Sequence, residues 1–235
     1  MNPHDSQIHF WIVLVVMGHE GSLIGVEVDR PAPGEELNTG APTEPRPAAT
    51  VIVLRGGDER LEILLVQRNP GARFMPGAWV FPGGALDGSE DARTAGVREV
   101  EEEASVALPN PSALVEFSRW ITPPEVRIRF DTHFFLAPAP AGQEPRVDGD
   151  ECVDWGWFAP SAALDAATRD EIELVFPTIK HLEQLAGFAS ADAVLAYARG
   201  RDVHAVVPRV VTEGEVARIV LPDDPAAPPA GGSAG

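Results

Sequence analysis

At 235 residues the chain can hold one domain of roughly 150–200 residues plus extensions. Its 36 acidic against 18 basic residues give a formal charge of -18, which repels nucleic-acid backbones and anionic membranes and argues against both as partners. Cys152 is the single cysteine, so no intrachain disulfide forms and a reducing, cytoplasmic compartment is expected; beside Val153 it reads as packing, not as a nucleophile.

Residues 1–47 are expected to stand outside the folded domain as a disordered extension. The apolar run at 10–17 is too short to span a bilayer, and no basic segment precedes it. It reads as an added edge strand or as sequence upstream of the true start, with Met17 as an alternative initiator; the second reading is preferred. Residues 31–47 are rich in Pro, Glu, Gly and Thr, the composition of a linker.

The domain is expected over 48–225. Residues 49–54 and 61–67 are apolar and β-rich, with Gly56, Gly57 and Asp58 turning between them as a hairpin. Arg68 ends the second strand, a loop over 69–78 carries Arg73, and a short strand at 79–81 leads into Pro82-Gly83-Gly84. Those two glycines let backbone approach a ligand closely. Further strands are predicted at 114–122, 130–137 and 151–158, the last with Trp155 and Trp157 on one face. Helical periodicity follows at 161–169, 176–186 and 191–199, then a β-hairpin over 205–221 turning at Glu213-Gly214. A low-complexity tail fills 226–235. By periodicity the class is α/β or α+β.

One helix carries the chemistry. It is predicted to open at Glu90-Asp91 behind Ser89 as N-cap and to end in Arg98-Glu99-Val100-Glu101-Glu102-Glu103. Glu99, Glu102 and Glu103 stand at i, i+3 and i+4, so a helix gathers three carboxylates on one face, near the end of the dipole that prefers cations. Arg98 pairs with Glu102 but offsets one acid of four. A divalent cation supplies the missing charge, since clustered carboxylates are the hard oxygen ligands of Mg2+ and Mn2+.

The segment resembles the Nudix box, Gly-x5-Glu-x7-Arg-Glu-U-x-Glu-Glu-x-Gly-U with U aliphatic. Gly84, Glu90, Arg98, Glu99, Val100, Glu102, Glu103 and Val106 match; Ser105 stands in place of the final Gly. The resemblance implies an α/β/α sandwich around a mixed sheet, with C-terminal helices and a β-hairpin added here. It implies Mg2+ or Mn2+ held by Glu99, Glu102 and Glu103, with a backbone carbonyl from Gly83 or Gly84, Arg98 orienting the carboxylates and Glu90 supporting it. Water would attack phosphorus and split a nucleoside diphosphate derivative, the metal neutralising charge and orienting the nucleophile. Glu99 or a downstream acid would act as base; Glu151 resembles the downstream ligand, with Asp148 and Asp150 competing.

Arg68 and Arg73 are candidate phosphate clamps, together with Gly84 for backbone contact; Arg119, Arg127 and Arg129 are further candidates. His133 and the tryptophans Trp79, Trp155 and Trp157 read as structural. A looser resemblance over 50–225, carried by Leu64-Leu65-x-x-Arg68, 74–84, 120–123 and 129–132, points to the acyl-coenzyme A diphosphatase branch, with Met75 where that signature has a His. The expected substrate is coenzyme A or an acyl ester. The alternatives are an ADP-ribose, dinucleotide or nucleotide-sugar diphosphatase and, in another class, a non-catalytic ligand-sensing module. The family also implies a small-molecule partner and homodimers in many members.

Overall fold

The computed structural model describes residues 37–38, 40–57, 60–213 and 216–222, with backbone alone for 11–12, 14–17, 23–26, 212–213 and 216–218. Asp58, Gly214, much of the expected extension and linker, and the expected tail lie outside the described residues.

Three short strands come first, β1 (Trp11–Ile12), β2 (Leu14–Met17) and β3 (Leu23–Val26). The domain proper runs β4 (Arg46–Arg55), β5 (Glu62–Arg68), β6 (Trp79–Val80), β7 (Gly83–Ala85) and α1 (Ala92–Ala104). After a 3-10 turn come β8 (Val115–Ile121), β9 (Phe130–Pro138), β10 (Cys152–Phe158), α2 (Pro160–Thr168), α3 (Phe176–Leu185) and α4 (Ala191–Arg199). The end is β11 (Ala205–Val206), β12 (Arg209–Glu213) and β13 (Val216–Val220).

The main sheet has the order β10-β5-β4-β9-β8-β11, with β6 on β5 and β7 on β4. It is mixed: β4 lies parallel to β9 from Arg46 opposite Phe130 to Leu54 opposite Pro138, while β5 and β8 run antiparallel to their neighbours β10 and β9. β12 and β13 form the expected C-terminal hairpin, and β1 lies parallel to β13. The period of two along β4 divides the core. Ala49, Val51 and Val53 join Leu64, Val66 and the α1 residues Ala95, Val100 and Ala104 on one side. Ile52 and Leu54 join Ile63, Leu65 and the α3 and α4 residues Ile179, Leu182 and Val194 on the other. Helices therefore cover both faces, as expected for an α/β/α sandwich. Among the described residues no helix is long and apolar enough to cross a membrane.

Local details correct the predicted helix start. Asp91, not Ser89, is the N-cap, accepting the N–H groups of Arg93 and Thr94 at 2.9 Å each, and the helix begins at Ala92. Glu90 stays outside, accepting from the Asp87 N–H at 2.6 Å and from Arg98 at 2.7 Å, so its carboxylate closes the preceding turn instead of opening the helix. Trp155 and Trp157 do share a face, packed on the α1 side of the core.

Candidate active site

The strand β7 and the helix α1 meet at a seam that only glycine permits. Gly83 sits opposite Thr50 on β4, and a β-carbon there would lie 2.5 Å from the Ala49 carbonyl oxygen and 2.7 Å from the Thr50 Cα. At Gly84 an added β-carbon would fall 2.6 Å from the carboxyl carbon of Glu99. The two glycines thus bring backbone flush against the acidic face of α1. Gly83 N–H donates to Glu103 Oε2 at 2.9 Å, which ties the loop to the helix.

Arg98 organises the rest of that face. Its guanidinium donates to Glu90 at 2.7 Å, Glu99 Oε1 at 2.8 Å and Glu102 Oε2 at 2.8 Å, and also to the Ala85 carbonyl at 3.2 Å. These hydrogen bonds hold Glu90 below the usual carboxylate range and raise Arg98 itself. One arginine therefore neutralises more of the cluster than i, i+4 pairing allows, because Glu90 reaches it from outside the helix. Glu99 and Glu103 still carry an unbalanced environment. Burial raises Glu99, and it pushes Glu103, only 2 % exposed, up to about 7.

Both carboxylates open onto one cleft of about 460 Å³, whose walls include Arg46, Thr50, Arg68, Phe74, Gly83, Gly84, Thr132 and Glu151. Arg68 stands 3.8 Å from Glu103 and donates to the Phe74 carbonyl at 3.1 Å, fixing the loop over 69–78. The same loop is tied to Glu151, whose carbonyl accepts from Asn69 N–H at 2.9 Å. Glu151 is therefore the downstream acid that reaches the cleft. Asp148 is spent on the turn: burial works to raise it, yet the N–H groups of Cys152, Asp150 and Glu151 hold it below the usual range.

Other expected residues stand elsewhere. Glu102 is more than half exposed, outside the cleft wall, with one oxygen on Arg98. Arg73 is exposed at the tip of its loop and does not line the cleft, since its neighbour Phe74 takes the inward position and packs edge-on against Phe130 at 5.5 Å. Arg119 forms a two-point pair with Asp131 at 2.6 and 2.8 Å, and Arg129 donates to the Thr122 and Thr43 carbonyls, so both hold strands together. His133 is a strand residue, bound to Glu116 at 2.8 Å. Cys152 is fully buried and burial pushes its thiol up to about 12, consistent with packing.

Arg46 was missed by the sequence reading. It lies just inside the expected linker, yet it opens β4 and lines the cleft, exposed and without a hydrogen-bond or ion-pair partner for its side chain among the described residues. The available signal was its place shortly before the β-rich run at 49–54.

A family model described as a NUDIX domain matches residues 44–178, more than half of the chain. The chain belongs to the Nudix family. An RNA pyrophosphohydrolase of Dinoroseobacter shibae is 31 % identical over 116 residues, covering 42 % of this chain and 72 % of that protein. Putative nudix hydrolase 7 of Caenorhabditis elegans is 27 % identical over 181 residues, 60 % of each chain. The crystal structure of a Nudix hydrolase from Alicyclobacillus acidocaldarius matches with a TM-score of 0.58 at 27 % identity, over 66 % of this chain and 96 % of that one. Membership makes the chain a hydrolase of diphosphate bonds, in a family that generally works with divalent metals.

The donors fit such an ion by chemistry. Glu99, Glu103 and Glu151 present carboxylate oxygens, the hard donor type that divalent cations take, to one cleft, and Glu103 is a buried carboxylate short of positive charge. They do not form a closed cage: among the described residues no three carboxylate, imidazole or thiolate groups converge on one point.

Proposed function

We propose that this Nudix protein hydrolyses the diphosphate linkage of a small nucleoside diphosphate derivative in a metal-dependent reaction, with Mg2+ or Mn2+ as the ion. The observation that carries the reading is that Glu99, Glu103 and Glu151 line one cleft together with Arg46 and Arg68. Glu99, Glu103 and Glu151 would hold the ion with a carbonyl from Gly83, and Glu102, at the rim beside Glu103, would offer only the oxygen that Arg98 does not hold. When bound, the ion supplies charge neutralisation and a more acidic water.

The chain's own groups do the rest. Arg46 and Arg68 hold phosphoryl oxygens by charge-assisted hydrogen bonds, and the glycine pair lets the diphosphate approach the backbone. Arg98 is a positioning residue: four of its five N–H donors go to carboxylates and the fifth to the Ala85 carbonyl, so none is left for substrate. Glu99 or Glu151 accepts the proton of the attacking water. Arg73 takes an outer contact at most.

Coenzyme A or an acyl ester is the first substrate in this reading, and ADP-ribose, a dinucleotide or a nucleotide sugar the next. The charge of -18 favours a small substrate over an RNA end. A panel of these compounds, assayed for phosphate products with Mg2+ and with Mn2+, tests it. Turnover that falls about 100-fold or more in Glu103→Gln, and severalfold in Arg46→Ala through KM, is the expected result. Tight binding of one compound without turnover under either metal would move the protein to the ligand-sensing class.

A further inference from the structure

Beside the acidic cleft lies a second, smaller cavity of about 90 Å³. Phe74, Ile128 and Thr132 belong to the walls of both. Beyond that shared wall it is lined by Met75, Trp120, Ile121, Val126, Phe134 and Phe176. Whole small-molecule sites run to roughly 300–1,000 Å³, so this space takes only a fragment of a ligand. Because the cavity adjoins the cleft across those three residues, that fragment is taken as one end of whatever the cleft holds.

The lining decides what kind of group it is. Thr122, also in the wall, already accepts the Phe130 N–H on its hydroxyl at 3.1 Å. The Thr122 hydroxyl keeps its proton, and with the Thr132 hydroxyl and the Trp120 indole N–H it makes three side-chain hydrogen-bonding groups in an otherwise apolar wall. A nucleobase carries several donors and acceptors on its edges, and most would be desolvated here without partners. An aliphatic group loses nothing by entering. The loop geometry fits the same role: Met75 holds φ at 49°, a left-handed conformation unusual for a side-chain-bearing residue, and the Arg68 hydrogen bond to the Phe74 carbonyl keeps the adjoining residue in place.

Resting on the diphosphatase reading, we infer that this cavity is a specificity subsite for a short aliphatic segment attached directly to the diphosphate, while the nucleoside side remains in the open cleft. The protein therefore discriminates between diphosphate esters by the apolar bulk next to phosphorus.

The test is a set of ADP β-alkyl esters (methyl, propyl, butyl and octyl) with ADP-ribose beside them, assayed on the full chain with Mg2+ for kcat/KM and by calorimetry for affinity. Each methylene from methyl to butyl should raise both by about three- to fourfold, with no further gain at octyl once the space is filled. ADP-ribose should bind no better than the methyl ester. Ile121→Asn and Ile128→Asn, both at half-buried positions, should flatten the gradient; two variants guard against one failing to fold. A flat series in the parent chain, or a gradient that both folded variants preserve, overturns the inference. If no ester turns over, the enzyme reading falls, and the calorimetric gradient alone decides the subsite.

Discussion

Ser105 follows α1 with φ 53° and ψ 31°, and its N–H closes the helix on the Glu101 carbonyl. A β-carbon in this left-handed region costs about 1 kcal/mol relative to glycine. Ser105→Gly is therefore expected to raise stability by about that amount, seen as about 2–4 °C in thermal melting. Glu103 is the opposite kind of site, where chemistry is held against stability. Its carboxylate is buried with one backbone N–H and a distant Arg68, so a cation should stabilise the fold through it. At a hundredfold excess over its Kd, Mg2+ should add about 2.7 kcal/mol to the parent chain. Glu103→Gln should lose most of that gain, read as the difference in melting temperature with and without chelator.

At the scale of elements, the site depends on how closely α1 approaches the sheet. Gly96 faces β4, and an added β-carbon would meet Val51 Cγ2 at 2.9 Å. Gly96→Leu should overpack this contact at a cost of about 1–3 kcal/mol and lift the carboxylates from the glycine seam. Denaturant unfolding should show the loss, and activity should fall further than stability explains. Arg98 joins α1 to the turn before it through Glu90 and the Ala85 carbonyl. Removing it in Arg98→Met leaves Glu90, Glu99 and Glu102 facing one another, with an expected loss of about 1–3 kcal/mol that Mg2+ partly restores.

Across the whole molecule, the layer opposite α1 is centred on a buried histidine. His181 on α3 stacks against Phe134 at 4.2 Å, with Phe81, Phe117 and Trp120 around it. Its Nδ1 meets the Pro177 carbonyl at 2.6 Å and its Nε2 the Ser118 hydroxyl at 2.6 Å, so the neutral ring is satisfied at both nitrogens. Burial lowers its pKa from 6.5 to about 4. Between those values the unfolded chain binds the proton and the folded chain does not. Stability is thus fully present above pH 6.5 and declines as pH falls toward 4. Urea unfolding at pH 7 and pH 5 should differ by about 2 kcal/mol from this group. The Glu103→Gln background is the one to use, because burial shifts that carboxyl in the opposite direction. Adding His181→Leu should remove about 2 kcal/mol of that difference.

The box from Gly84 to Val106 was legible without coordinates because helical spacing alone gathers its carboxylates; periodicity gave the class only as α/β or α+β, and the layered sandwich followed from the resemblance of the box. Helix ends were less legible: Ser89, Glu90 and Asp91 are all credible starts, and the choice fell to which carboxylate could also reach Arg98. Spacing also gave Glu102 the same rank as Glu103, whereas packing against the sheet buries Glu103 and leaves Glu102 at the rim. Arg46, Arg68 and Arg73 look alike as isolated arginines. Only the parallel pairing of β4 with β9 and the inward turn of Phe74 place the first two on the cleft and the third outside it. Contacts within one helix are set by the rise and turn of the backbone and so can be read from the chain; contacts between a strand, a loop and a distant acid such as Glu151 depend on register and burial, which only the tertiary structure decided.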